Sequence, residues 1–310
     1  MNLRKVVAVG YGGPELLEVL TGEPAEPGEP GPDEVLVEVR AIGVNAWDVK
    51  SYSGSVGDDP DKLPVELGGE CAGVVLAGAL PVGAEVIVHP VGSAYADRVV
   101  ARVGSCVPKP AMLSWPEAAG LMLTGTAAAH LVHATGVADG ETVLLNGAAG
   151  GVGLFAAQLA RHRGARVLGT ALPEDHEVLR ELGVEPFDFR EDVEGWVRAQ
   201  APGGVDAVLD AVGAPPVLDV SLAVAQDRDR VATLIPSPAA AQRGIAQLGF
   251  GDGADPGTEL RAAARFELVK GVEEGWLRVV VADTFPLDRA ADAHRAMVGA
   301  HGAGKIVLVT

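Results

Sequence analysis

Residues 143–153, Val143-Leu-Leu-Asn-Gly-Ala-Ala-Gly-Gly-Val-Gly153, constrain this chain more than any other segment. An apolar run enters a glycine-dense turn, and the alanine-rich stretch 155–160 leaves it. Glycines let the backbone turn sharply and approach a ligand closely. The start of the following helix offers unpaired N–H groups and a partial positive charge, which suits a pyrophosphate. The spacing is Ala148-x-Gly150-x-x-Gly153, so the first glycine of the dinucleotide fingerprint is replaced. The context still favours a dinucleotide site over an ordinary strand-to-helix loop. The preceding run is apolar, the following helix carries small residues, and a second strand at 166–170 arrives at the distance a β-α-β unit requires.

The remaining pattern predicts two architectures in one chain. Residues 6–9, 34–41, 72–76, 85–89 and 95–101 read as valine-rich strands separated by turn clusters such as 26–33. Ser114, with Pro116 and Glu117 behind it, reads as the N-cap of a helix running to His133. From Thr142 strands (142–146, 166–170, 205–210, 230–235) alternate with helices (152–163, 174–182, 215–225), which argues for a parallel doubly wound sheet. A helix at 258–276, a strand at 279–281, a helix at 287–298 and a strand at 306–309 close the chain. Residues 249–257 read as a loop and a hinge.

Composition narrows the function. Forty-two acidic residues oppose 24 basic ones, for a net charge of −18, and no basic run appears. Nucleic-acid binding needs a cationic face, and so does an anionic membrane surface. Both are excluded as partners. Two cysteines, Cys71 and Cys106, build no disulfide framework in a chain of 310 residues and fit a reducing compartment. The start of the chain lacks the apolar core of a signal peptide, and the apolar runs are too short to span a bilayer. A cytoplasmic protein is expected.

Several motifs in order carry a more specific resemblance. They are Gly43-Val-Asn-Ala-Trp-Asp48, Leu67-Gly-Gly-Glu-Cys-Ala-Gly-Val-Val75, Ala94-Tyr-Ala-Asp97, residues 148–153, Asp210-Ala-Val-Gly213, Thr284-Phe-Pro-Leu287 with 290–294, and Gly304-Lys-Ile-Val-Leu308. Together they resemble the zinc-independent quinone oxidoreductase branch of the medium-chain dehydrogenase/reductase superfamily. The resemblance implies an α/β chain: a Rossmann doubly wound parallel sheet (119–256) plus a GroES-like β-barrel catalytic domain built from both ends (1–118 and 257–310). It implies hydride transfer from a nicotinamide coenzyme to a quinone or an α,β-unsaturated carbonyl. It also implies a homodimer paired through the edges of the nucleotide domains. A non-catalytic nucleotide-binding protein is the rival reading.

Site residues follow from the same resemblance. Zinc-dependent relatives carry a cysteine where this chain has Asn45 and a histidine where it has Gly69, so no zinc is expected. Asn45 is expected near the nicotinamide ribose, or else it satisfies a turn. Asp48 is expected to cap or pair locally, and Glu70 to be a structural carboxylate. Relatives place a tyrosine after Gly54; here Tyr52 precedes it and is the candidate proton donor, or packs with its hydroxyl in solvent. Relatives place a threonine where this chain has Ala127, leaving Thr124 and Thr126 as candidates near the nicotinamide. Gly150, Gly151, Val152 and Gly153 are expected on the pyrophosphate. Thr170 ends the second strand without an acid. Arg190 and His176 are the cationic candidates for a 2′-phosphate, against Glu174 and Asp175, while Phe189 stands where relatives carry a tyrosine. NADP(H) is expected, with NAD(H) a close alternative. Val212, Gly213, Ile235 and Ser237 fall at later strand ends, where open α/β sheets bind ligands. Phe250 and Lys305 are expected to border the cleft; otherwise Phe250 is core and Lys305 solvated.

Overall fold

The structure is a computed structural model that describes residues 2–299 and 301–310. Its contacts divide it into two compact units. One is drawn from within Met1–Leu123, Val279–His301 and Lys305–Thr310, the other from Thr124–Arg278 and Gly302–Gly304.

The first unit is built on the eleven-residue strand Glu34–Val44. Its residues alternate, with Val35, Val37 and Val39 buried between more exposed neighbours, as a strand with one core face requires. Its first half pairs with Arg98–Arg102 and its second half with Lys305–Val309, both antiparallel. Cys71–Gly78 runs along its other edge, with register shifts near Leu36/Val37 and Val39/Ala41. Those shifts bend the strand so that one chain serves two neighbours. Glu85–Val88, Cys106–Pro108 and Val281–Pro286 complete a seven-stranded sheet. A second, three-stranded sheet orders Leu17–Thr21, Arg4–Ala8 and Val65–Glu66. Val281–Pro286 and Lys305–Val309 are parallel, so the helix Ala290–Val298 crosses over between them.

The second unit is a six-stranded, wholly parallel sheet. Its order is Glu185–Asp188, Arg166–Ala171, Thr142–Asn146, Ala207–Asp210, Val231–Thr233, Ala246–Gln247. Numbered along the unit this is 3-2-1-4-5-6, the doubly wound order in which ligands meet the carboxyl ends of the strands. Leu144, Leu168, Val208, Leu218 and Val231 form its core.

Three expectations change. The helix from Ser114 breaks into Trp115–Ala119 and Met122–Ala134. The Ser114–Glu117 capping box starts the first piece as expected. The second starts where the Glu70 carboxylate accepts the N–H groups of Met122 and Leu123. The helix Thr258–Glu273 falls within the second unit rather than the first. There Leu268 is buried against Gly125, with its Cδ1 2.7 Å from where a Cβ would stand. The strand expected at 279–281 runs instead from Val281 to Pro286.

Candidate functional site

The glycine turn of the second unit is held from below. The Gly147 N–H donates to Thr170 Oγ1 (3.3 Å), and the Ala148 N–H to the Thr170 carbonyl (2.9 Å). Gly147 carries a φ of +75°, so the sharp turn falls one residue before the replaced fingerprint glycine. That explains why Ala148 is tolerated: no residue other than glycine has positive φ among those described. Gly150 is the N-cap of the helix Gly151–His162, which leaves the first N–H groups of Gly151, Val152 and Gly153 at an open end. A Cβ at Gly150 would meet only the Gly147 carbonyl, at 3.5 Å, whereas one at Gly153 would stand 2.1 Å from that oxygen. One glycine leaves space above the turn, and the other lets the helix sit on the strand. This cradle fits a pyrophosphate.

The neighbouring strand ends are mutually bonded. Asp210, fully buried, accepts from Gly213 N–H (2.8 Å), Val212 N–H (3.3 Å) and Thr233 Oγ1 (2.6 Å), while burial pushes its carboxyl up from the usual range. The Ile235 N–H donates to Thr233 Oγ1 (3.1 Å). The backbone donors of Val212, Gly213 and Ile235 are therefore committed, and the half-exposed Val212 side chain lines the turn, its Cγ2 3.0 Å from where a Gly147 Cβ would stand. Ser237 caps the helix Pro238–Gln242 through its hydroxyl, so that group is already bonded. Phe250 is 70 % exposed, which removes the core-packing reading.

At the adenosine end, Arg190 is exposed and grips Asp188 through Nε and Nη2 at 2.6–3.1 Å. That ion pair holds the Asp188 carboxyl below its usual range. Asp175 is buried and accepts the Ala303 N–H at 2.9 Å. His176 approaches the Ala171 carbonyl (3.4 Å), Glu174 is exposed, and so is Phe189. Thr124 and Thr126 both lie buried on the helix Met122–Ala134.

The first unit contains two buried polar clusters. In one, Asn45 Nδ2 donates to the Gly43 carbonyl and to Glu70 Oε1, both at 3.1 Å. Lys305 Nζ donates to Glu70 Oε1 and the Val44 carbonyl, each at 3.1 Å, and to Asn45 Oδ1. Lys305 is 2 % exposed, so the solvated reading is corrected, and its ammonium is spent inside the unit. Asn45 also begins the helix Ala46–Tyr52, where its N–H donates to Asp48 Oδ2 at 2.8 Å.

In the other cluster Tyr52 and Tyr95 bond His294 from both sides, at Nδ1 and Nε2, each at 2.8 Å. Tyr95 also reaches Asp48 Oδ2 at 3.5 Å. All three rings are buried. The candidate donor Tyr52 is thus out of reach of a substrate oxygen, and its hydroxyl does not lie in solvent; burial pushes it up to about 12.

The same burial pushes Asp48 from 3.8 up to about 7 and His294 from 6.5 down to about 4. The unfolded chain protonates His294 at a pH where the folded ring stays neutral, so that group costs stability as pH falls from 6.5 towards 4. Folded Asp48 holds its proton where the unfolded chain has lost it, so that group costs stability as pH rises from 3.8 through 7. The two slopes oppose each other over the shared window. Asp48→Asn should expose the first, a loss of roughly 3 kcal/mol between pH 6.5 and 4. His294→Gln should expose the second. Urea melts across that range would contradict this if both variants kept the wild-type profile.

Asn45 and Gly69 supply no thiolate or imidazole, and all of the Glu70 oxygens are bonded. Among the described residues no group of three or more His, Cys, Asp or Glu could hold a metal ion, and no helix is long and apolar enough to cross a membrane.

A doubly wound sheet with a glycine cradle at its first strand, in a chain that also carries a GroES-like unit, defines a nicotinamide-dependent oxidoreductase. Residues 31–156 match the family described as alcohol dehydrogenase GroES-like domain, and residues 182–308 the family described as zinc-binding dehydrogenase. The quinone oxidoreductase of Pseudomonas aeruginosa is 33 % identical, with 99 % of each chain covered. The spectinabilin polyketide synthase system protein NorB of Streptomyces orinoci is 35 % identical over 92 % of this chain, which spans 13 % of that protein. A mycobacterial structure complexed with NADPH superposes with a TM-score of 0.85, at 28 % identity, over 99 % of this chain and all of the other. The chain belongs to the quinone oxidoreductase branch of the medium-chain dehydrogenase/reductase superfamily, and it is an oxidoreductase enzyme.

Proposed function

We propose that the chain is a zinc-independent, NADP(H)-dependent reductase of quinones or α,β-unsaturated carbonyls. The observation that carries this reading is the cradle at residues 147–153, open above Gly150 and closed beneath Gly153. The NADPH-bound mycobacterial structure and the quinone oxidoreductase relative support the coenzyme and substrate class. The donor set at Asn45, Gly69 and Glu70 supports reduction without zinc.

The coenzyme, when bound, supplies the hydride that reduces the quinone or the β-carbon of the enone. Gly151, Val152 and Gly153 orient it by their N–H groups, and Thr170 keeps that turn rigid. Arg190, bonded to Asp188, would hold the 2′-phosphate of a bound NADP(H), since a guanidinium has donors for two anionic partners. The proton that completes the product comes from solvent, because Tyr52 is committed to His294. The protein works in the cytoplasm as a homodimer, which light scattering at the mass of two chains tests.

Following coenzyme oxidation with panels of quinones and enones tests the activity. Turnover with at least one class is expected, and binding without turnover across both would favour a nucleotide sensor. Arg190→Gln should weaken NADPH about tenfold and leave NADH nearly unchanged. Equal loss for both would remove Arg190 from the phosphate and with it the NADP(H) preference.

A further inference from the structure

We infer that Gln158 is a positioning residue for the coenzyme cradle: its side-chain amide fixes the register of the helix Gly151–His162, and so the place of the N–H groups at the start of that helix. The sequence of the helix sets the problem. Residues 153–160 are all buried, and Gln158 is the one polar side chain among them. Its neighbours Phe155, Ala156, Ala157, Leu159 and Ala160 hold the helix by apolar contact, which has no direction of its own. A helix held only in that way can turn or slide at little cost, carrying its N–H groups with it. Hydrogen bonds are directional and remove that freedom.

Gln158 spends its amide completely. Nε2 donates to the Leu154 carbonyl one turn back and to the Arg278 carbonyl, both at 3.0 Å, and Oε1 accepts the Arg278 N–H at 2.8 Å. The amide thus exchanges two hydrogen bonds with the backbone of one residue, as an antiparallel strand neighbour does. A flipped amide would set hydrogens against the N–H and oxygen against the carbonyl, so only one orientation serves. Arg278 is the last residue before the chain leaves the second unit. One turn on from Gln158, on the same face of the helix, the His162 ring stacks on Trp276, with centroids 3.8 Å apart and planes at 11°. A Cβ at Gly271 would stand 2.5 Å from Trp276 Cζ2, so the indole lies directly on that backbone. In the turn before the helix, the Gly304 N–H donates to the Ala149 carbonyl at 3.2 Å. The cradle helix is therefore keyed to both stretches at which the chain crosses out of and back into this unit, and Gln158 is the side chain that sets its register by hydrogen bonds. Linkage makes the effect reciprocal: a coenzyme seated on the N–H groups tightens the Gln158–Arg278 pair by the factor by which that pair tightens the coenzyme. The inference rests on the reading that the turn at residues 147–153 holds the pyrophosphate.

The test joins calorimetric titration of the reduced coenzyme the wild type prefers to hydrogen exchange at the Arg278 and Gly304 amides. Gln158→Met nearly keeps the volume and removes both polar atoms; it should weaken the coenzyme about fivefold. Leu218→Ala opens a cavity in a core cluster to which the cradle helix contributes nothing, and it should stay within about twofold of the wild type. In the wild type the coenzyme should slow exchange at both amides, and in Gln158→Met at Gly304 alone. Gln158→Glu supplies the rescue. Ionised at about pH 8, it cannot donate to the Arg278 carbonyl and should bind no better than Gln158→Met; at about pH 6 a buried carboxyl takes up a proton, regains that donor and should recover most of the wild-type affinity at the same pH. Should Gln158→Met fail to fold, Gln158→Glu at the two pH values carries the test. A Gln158→Met protein that melts lower yet binds coenzyme as the wild type does would overturn the proposal in favour of a purely structural role. Equal loss in Leu218→Ala, or a Gln158→Glu deficit that ignores pH, would overturn it in favour of general damage. A wild type that binds coenzyme without slowing exchange at Arg278 would overturn the coupling. One that binds neither NADPH nor NADH would remove the cradle reading and this inference with it.

Discussion

Gly153→Val should abolish coenzyme binding and destabilise the second unit by about 3 kcal/mol or more. A side chain there would begin 2.1 Å from the Gly147 carbonyl oxygen and 2.7 Å from the Ala148 Cα. Both are backbone atoms of the turn, so no rotamer change relieves the overlap. The helix Gly151–His162 would have to lift from the strand that aims its N–H groups. Gly150→Ala is the matched control. Its φ of −69° suits any residue, and its Cβ would make only an ordinary contact at 3.5 Å. That variant should melt with the wild type and yet bind NADPH about tenfold more weakly, because the methyl intrudes on the ligand. Calorimetric titration with parallel thermal melts reads both effects. A Gly153→Val protein that binds NADPH normally would show that the cradle is not where the coenzyme sits.

Glu70→Leu should cost about 3–5 kcal/mol of folding stability. The carboxylate compensates the buried Lys305 ammonium and serves two backbone N–H groups and the Asn45 amide. Removing it strands a charge in a region that is 0–3 % exposed at Glu70, Asn45 and Lys305. Adding Lys305→Met removes that charge and should return a large part of the loss, since replacing both members of a buried pair is far milder than breaking it. Urea denaturation of the single and double variants measures this. A double variant less stable than Glu70→Leu alone would mean that the pair's charges are not what the site balances.

Much of the architecture was legible in the sequence. Strand 142–146 and the turn after it coincide with the structure because a parallel strand buried on both faces reads as an unbroken apolar run. The edge strands were not legible. Glu185–Asp188 contains a proline, and Ala246–Gln247 is two residues long, too short for any period to register. The glycine turn and the motif Asp210-Ala-Val-Gly213 are legible, but the roles of Gly147, which makes the turn, and of Thr233, which ties the strand ends through Asp210, are not. The polar clusters escaped for a different reason: their partners lie far apart in the chain. Tyr52 and His294 are separated by 242 residues, and Lys305 and Glu70 by 235. One local signal was available. Lys305 opens the buried run Lys305–Val309, and Glu70 stands alone between Gly69 and Cys71 before the buried start of Cys71–Gly78. A lone carboxylate and a lone ammonium in apolar strands each require a counter-charge.

The three residues Gly302–Gly304 return to the nucleotide-binding unit after the chain has left it at Arg278. Ala303 supplies the N–H that Asp175 accepts, and Gly304 supplies one to the Ala149 carbonyl within the glycine turn. A fragment cut at residue 278 would therefore lose both hydrogen bonds, one of them beside the cradle. During synthesis the pyrophosphate seat stays unfinished until residues 302–304 have emerged, so a nascent chain that exposes only residues up to 278 should not acquire coenzyme.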